Sequence, residues 1–333
     1  MHYWKIKKRP FRNSFCGQTF AFGLLVFTAY CWAEDAGWTS EGRQTRQTSE
    51  TNVRKLKDAQ QTTVTVATHP ERIVTLAPSL GELAADLMAD HLEKIVGVSE
   101  YTDYPPGLKS VASIGPYNQF NVEKILSLKP DVVLATTDGN PKDKVVHLRE
   151  LGVPVVVVNT GNFSEIEGSI RLVADALGVP DLGKQMALQL KTGIARLKEK
   201  SKNHLPTRVM LQISDDPLYV AGSKTFMQDA LDILGAKNIY GDADTHYPRP
   251  SLEDVMRRDP DMIIIIGMGE DQKTTLKIAA KWELYKTLRA VKSHRVRILQ
   301  TDTLLRPTLR ILEGLSMLNQ VIYGSEKQEN AQK

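Results

Sequence analysis

Asn121-Val-Glu-Lys-Ile-Leu-Ser-Leu-Lys-Pro-Asp-Val-Val-Leu134 returns later in the chain, without a gap, as Ser251-Leu-Glu-Asp-Val-Met-Arg-Arg-Asp-Pro-Asp-Met-Ile-Ile264. Each copy has a helix-capping residue (Asn121, Ser251), a carboxylate in the first turn (Glu123, Glu253) and a short amphipathic helix. A Pro-Asp stop and a run of buried-strand residues follow. Four residues before each cap stands a tyrosine, Tyr117 or Tyr247. Asn and Ser are good N-caps, and an acid near a helix N-terminus contributes some tenths of a kcal/mol, so local stability accounts for any one of these residues. Proline stops are equally common in α/β units. Local stability does not explain why the same acid and the same tyrosine recur at matched places. From the repeat alone, structural and functional readings of the two glutamates stand level. The unit itself implies two lobes of like construction.

Working outward, strands and helices alternate. Strands are expected at Arg72–Leu76, Ile95–Val98, Asp131–Leu134 and Val153–Val158, with helices from a Ser79 cap, at Val122–Leu128 and at Lys142–Leu151. The near-continuous valines of the fourth strand suit a parallel strand covered on both faces. A second series has strands at Arg208–Ile213, Met262–Ile266 and Arg295–Leu299, with helices near Thr225–Leu234 and Thr308–Tyr323. Between them, residues 164–203 read as helix, broken at Gly178-Val-Pro180, with Asp181 as a cap. Leu182–Lys200 would be about 28 Å long, a stiff strut that permits little lobe motion. The fold expected is α/β: two Rossmann-like lobes (64–163 and 204–323) with parallel sheets, joined by one long connecting helix.

The chain has 333 residues, 41% hydrophobic and 25% charged, with a formal charge of +4. Residues 1–33 contain Lys5, Lys7, Lys8, Arg9 and Arg12 and no acid, so the remainder is near neutral and offers no broad phosphate-binding face. This N-terminus reads as a cleavable signal peptide directing the protein to the periplasm. Its apolar run, Phe20–Cys31, falls short of the roughly 20 residues that span a bilayer. Ala33 is the expected cleavage point; an uncleaved anchor is the alternative, and bulky Tyr30 disfavours lipid attachment at Cys31. Cleavage would remove Cys16 and Cys31, leaving no thiol or disulfide. Residues 34–63 read as a disordered tether and 324–333 as a disordered tail.

Enzyme signatures are absent: there is no Gly-x-Ser-x-Gly elbow, phosphate loop or His-Glu-x-x-His, and Gly267-Met-Gly269 is only part of a dinucleotide fingerprint. The histidines are scattered without metal-ligand spacing, so neither a metal site nor an intrinsic cofactor is expected.

Three stretches carry a resemblance: Ile73-Val-Thr-Leu-Ala-Pro-Ser-Leu-Gly-Glu-Leu83, Gly97-Val-Ser-Glu-Tyr-Thr-Asp-Tyr-Pro-Pro106, and Asn121-Val-Glu-Lys with Leu128-Lys-Pro-Asp131. Over about residues 70–322 the chain resembles the periplasmic vitamin B12-binding proteins. These belong to the class III, helical-backbone solute-binding proteins of ABC transporters that also serve ferric siderophores and haem. The resemblance implies a ligand held between the lobes and one glutamate per lobe, Glu123 and Glu253, docked into arginines of a permease dimer. It matches Tyr101, Tyr117, Tyr219 and Tyr247 to cleft aromatics. Asp138, Gly139, Asn140 and Arg306 lie at strand ends as supporting candidates, and His246, beside Tyr247, is a candidate ligand contact. The transported ligand implied is cobalamin, with a ferric siderophore or haem as the alternative, carried by a monomer with no nucleic-acid partner. One departure is marked: loops 135–140 and 301–305, where relatives often carry tryptophan, hold threonine and leucine here.

Overall fold

The computed structural model describes residues 52–267, 272–304 and 306–324. The signal segment with its two cysteines, and the tail beyond 324, lie outside the described residues, as does most of Gly267-Met-Gly269. Among the described residues no helix is long and apolar enough to cross a membrane.

The expected tether ends earlier than Val64. Strand β1 (Val53–Lys57) pairs antiparallel with β2 (Thr63–Ala67), Val53 opposite Ala67 and Lys57 opposite Thr63. Val64 and Val66 are buried, while Lys55, Lys57, Thr63 and Thr65 face outward, so the hairpin has the composition of a charged linker. Asp58 closes its turn by accepting from the backbone N–H groups of Gln60 (2.9 Å) and Thr62 (3.0 Å). It also forms a buried ion pair with Arg149.

The first lobe continues through β3 (Ile73–Thr75), α1 (Pro78–Leu87), β4 (Ile95–Val98), α2 (Val122–Ser127), β5 (Val132–Thr136), α3 (Lys142–Glu150) and β6 (Val155–Val158). Its sheet has the order β4-β3-β5-β6, all parallel. Val155 and Val157 pack into one apolar layer and Val156 and Val158 into the other, so the valine run is buried on both faces. Helix α1 is started by Pro78 after an Ala77 cap, so Ser79 lies inside the helix and does not cap it.

Helices α4 (Phe163–Leu177) and α5 (Pro180–Ser201) form the connection. A capping box holds the start of α4: the Asn162 side chain accepts from Glu165 N, and the Glu165 carboxylate accepts from Asn162 N. Asp181 does not cap α5; Val179 occupies the cap and Asp181 pairs with Lys184 one turn on. Gly183 packs closely on Ala174 of α4, and Gly193, near the middle of α5, packs on Leu312 further along the chain.

The second lobe contains β7 (Arg208–Asp215), β8 (Leu218–Val220), α6 (Phe226–Ile233), β9 (Lys237–Asn238), α7 (Leu252–Arg258), β10 (Met262–Gly267), α8 (Gln272–Trp282), α9 (Arg289–Lys292), β11 (Val296–Gln300) and α10 (Ile311–Tyr323). Strands β11-β10-β7 repeat the parallel order of β6-β5-β3, and β9 pairs with β7. The sheet is not wholly parallel. Only Asp216-Pro217 separates β7 from β8, too short a link for a crossover, and the pair is antiparallel.

Candidate ligand cleft and docking face

The repeated unit is built the same way in both lobes. Asn121 Oδ1 accepts from Lys124 N (2.8 Å), and Ser251 Oγ accepts from Asp254 N (3.2 Å). The Asp131 carboxylate accepts from Arg72 N (2.9 Å), and that of Asp261 accepts from Arg208 N (3.0 Å). The same two arginines donate to carbonyls at the repeated helix ends, Arg72 to Leu128 (2.7 Å) and Arg208 to Arg258 (2.6 Å). Each clamp ties the helix end to the start of a parallel strand, β3 in the first lobe and β7 in the second. Even the left-handed residue before the proline recurs, Lys129 at φ 46 and Asp259 at φ 41. The caps and the Pro-Asp acids therefore have intramolecular work. Glu123 and Glu253 do not: both are exposed and neither has an ion pair among the described residues.

Parallel sheets open at their carboxyl edges, where the connecting loops diverge. A cavity of about 950 Å³ lies there, walled from both lobes. Ser79, Tyr101, Asp103, Tyr117 and Asp138 come from the first lobe, and Phe226, Met227, Tyr247, Thr301, Asp302 and Arg306 from the second. The two repeated tyrosines are partly exposed, Tyr117 by 42% and Tyr247 by 37%. Burial, then the nearby Asp138 carboxylate and Tyr117, push the Tyr247 hydroxyl up to about 12, so it remains a hydrogen-bond donor. Tyr101 is 72% exposed, and its backbone sits in the left-handed region at φ 67, a conformation rare for a bulky residue.

Of the residues singled out in the sequence, Tyr101, Tyr117, Asp138, Tyr247 and Arg306 meet on the cavity wall. Asn140, Tyr219 and His246 do not. Asn140 is buried beneath the wall; its Nδ2 donates to the carbonyls of Leu76 (2.9 Å) and Tyr117 (2.7 Å), and its Oδ1 accepts from Thr136 N (2.8 Å). It ties the Tyr117 loop to two strand ends. Gly139 (φ 94) lies against the Tyr117 ring, where a Cβ would collide with it. Tyr219 stacks under the Arg249 guanidinium (5.3 Å), and His246 is exposed, its carbonyl accepting from Gly222 N (2.8 Å). Asn140→Ala is expected to cost about 1–3 kcal/mol, because buried carbonyls and an N–H lose their partner. Chemical denaturation of wild type and variant checks this.

The periplasmic binding protein family profile matches residues 73–303. The chain belongs to that family. A vitamin B12-binding protein of Vibrio cholerae serotype O1 is 29% identical over 259 residues, covering 78% of this chain and 91% of that protein. An uncharacterized ABC transporter substrate-binding lipoprotein of Bacillus subtilis is 32% identical, covering 80% and 85%. Among solved structures, the Vibrio cholerae periplasmic vitamin B12-binding protein superposes with a TM-score of 0.69 at 28% identity, covering 78% of this chain and 98% of that one. As a periplasmic binding protein the chain binds a solute and works outside the cytoplasm.

This binding protein has one feature the sequence did not disclose. Glu82, wholly buried on α1 of the first lobe, accepts from Thr308 Oγ1 (2.7 Å) and Arg310 Nη1 (3.1 Å), and pairs with Arg306 Nη1 (3.5 Å) in the second. Arg306 also reaches Asp103 (2.7 Å) and Asp302 (3.0 Å), and Arg310 lies over the Tyr104 ring (3.8 Å). The cluster joins the lobes beneath the cleft. Burial pushes the Glu82 carboxyl up, while Thr308 and both arginines pull it back. Its neighbour Asp86 is raised to about 6, by burial first and by Glu82 second. Glu82 within Leu80-Gly-Glu-Leu83 marks an acid in an apolar helix turn. Its arginines, however, lie 224 and 228 positions away, beyond any local pattern.

Proposed function

We propose that this protein is the solute-binding component of an ABC importer, holding a corrinoid between its lobes and presenting Glu123 and Glu253 to a permease dimer. The observation that carries this reading is the fate of the repeat. Its structural residues are satisfied within each lobe, leaving a tyrosine pair turned into the cleft and a glutamate pair turned to solvent. A corrin is broad, partly apolar and edged with amides. Tyrosines, apolar in body and polar at the tip, suit such a surface. The vitamin B12-binding relatives support the same ligand class. In place of tryptophan, the loops after β5 and β11 bring Asp138, Thr301 and Asp302 to the wall, which shifts recognition from ring stacking toward hydrogen bonding. Residues 1–33 serve, in this reading, as the export signal, and the mature chain acts as a monomer.

The test is retention of colour. Protein mixed separately with cyanocobalamin, haemin and a ferric siderophore and then desalted is expected to keep the absorbance of cyanocobalamin. Tyr117→Ala with Tyr247→Ala is expected to weaken that binding by at least about tenfold, as loss of central aromatic contacts does. Retention of haemin or the siderophore alone would move the protein to the alternative ligand class. Retention of none would end the reading.

A further inference from the structure

We propose that Asp103, Asp138 and Asp302 set the charge class of the ligand: the cleft admits a neutral or cationic molecule edged with N–H donors and turns away polyanions. The inference rests on the cleft being the ligand site and concerns what that site selects.

Among the described residues, the charged side chains on the cavity wall are these three carboxylates and one guanidinium, Arg306. Arg306 is already engaged. Its Nη2 faces Asp103 Oδ1 (2.7 Å), Asp302 Oδ2 (3.0 Å) and the Tyr101 carbonyl (3.5 Å), and its Nη1 faces Glu82 Oε2 (3.5 Å). Arg310 lies off the wall, between Glu82 and the Tyr104 ring. An anion entering the cleft would have to draw Arg306 away from acids it neutralises, one of them wholly buried. Pulling a partner from a buried charge is costly. No other cation on the described wall could replace it.

The carboxylates remain available to a ligand. Asp138 is exposed and its carboxylate accepts no hydrogen bond from a described residue; it lies beside the paired tyrosines. Asp103 and Asp302 each keep part of their surface open. Low-dielectric walls concentrate the field of such charges, so the cleft attracts positive charge and amide N–H groups. Carboxylates, catecholates and oxoanions are repelled. Among large metal-bearing ligands this favours amide-edged corrinoids, above all a cationic one without its nucleotide tail, over haem with its two propionates.

Fluorescence-quenching titrations at low and high salt with cyanocobalamin, diaquacobinamide, haemin and a ferric tricatecholate test this. Both corrinoids are expected to bind, diaquacobinamide losing affinity as salt rises. The two anionic probes are expected to bind more than about tenfold more weakly, since like charges juxtaposed at a binding surface repel. Asp138→Asn should flatten the salt dependence for diaquacobinamide, and Asp138→Arg should strengthen haemin binding. Anionic probes binding as tightly as the corrinoids, or a salt dependence unmoved by Asp138→Asn, would overturn the charge assignment while leaving the cleft as the site. Binding of no probe would overturn both.

Discussion

Glu82→Ala is expected to destabilise the protein by about 3 kcal/mol, because it breaks a buried charge cluster from its centre. The carboxylate is fully buried and serves Thr308, Arg306 and Arg310 at once. Its removal leaves the Thr308 hydroxyl without its acceptor and two partly buried guanidiniums dependent on the more exposed Asp103 and Asp302. Those remaining acids keep the loss at the lower end of the range for a broken buried pair. The melting temperature should fall by several degrees, at roughly 2–4 °C per kcal/mol for a chain of this size class. Glu82→Gln keeps the volume and an acceptor for Thr308, so it should cost less than Glu82→Ala. Differential scanning calorimetry on both variants decides the matter; equal, near-zero shifts would mean the cluster contributes nothing net. Because the cluster joins the lobes, Glu82→Ala should also increase hydrogen exchange in α1 and in the segment that begins α10.

The double variant Glu123→Ala plus Glu253→Ala is expected to abolish ligand uptake through the permease while leaving ligand affinity and folding near wild type. Each glutamate is exposed at the first turn of a short helix, so the local loss is limited to a dipole contribution of about 0.3–1 kcal/mol. The proposed docking would depend on them differently. A carboxylate held by a bidentate arginine makes charge-assisted bonds, and truncating one partner of such a pair costs about 2–5 kcal/mol. In the proposed docking the strut would set the spacing of the two acids, so losing both would remove both anchors. Uptake in cells carrying the cognate permease, measured beside cobalamin binding by the purified variant, separates the two effects. Full uptake by the double variant would remove the docking role. Single variants should fall between, each retaining the anchor of one lobe.

The repeat shows how far local pattern reaches. Caps at Asn121 and Ser251, strands β5 and β10, and the helical connection follow from spacing and residue type, because each depends on neighbours within a few positions. Local pattern falls short where a distant partner decides the outcome. The β1–β2 hairpin looks polar because its outward faces dominate its composition, while Asp58 at its turn is held by Arg149, 91 residues away. Asn140, just past a strand end, has the sequence position of a ligand contact. Its three hydrogen bonds, reaching Leu76 and Tyr117, show it to be a support for the loop above.

What the sequence determined by itself was two like α/β lobes, the strut between them, and a matched pair of acids and tyrosines. Helix and strand periodicity are local properties, and a duplication is visible without any contact being known. Only the tertiary structure decided which residues share the cleft, which merely brace it, and that Arg306 is held by acids of both lobes. The physical reason is that charge and burial depend on what lies across the interface. Arg306 and Glu82 acquire their environment only when the two lobes come together.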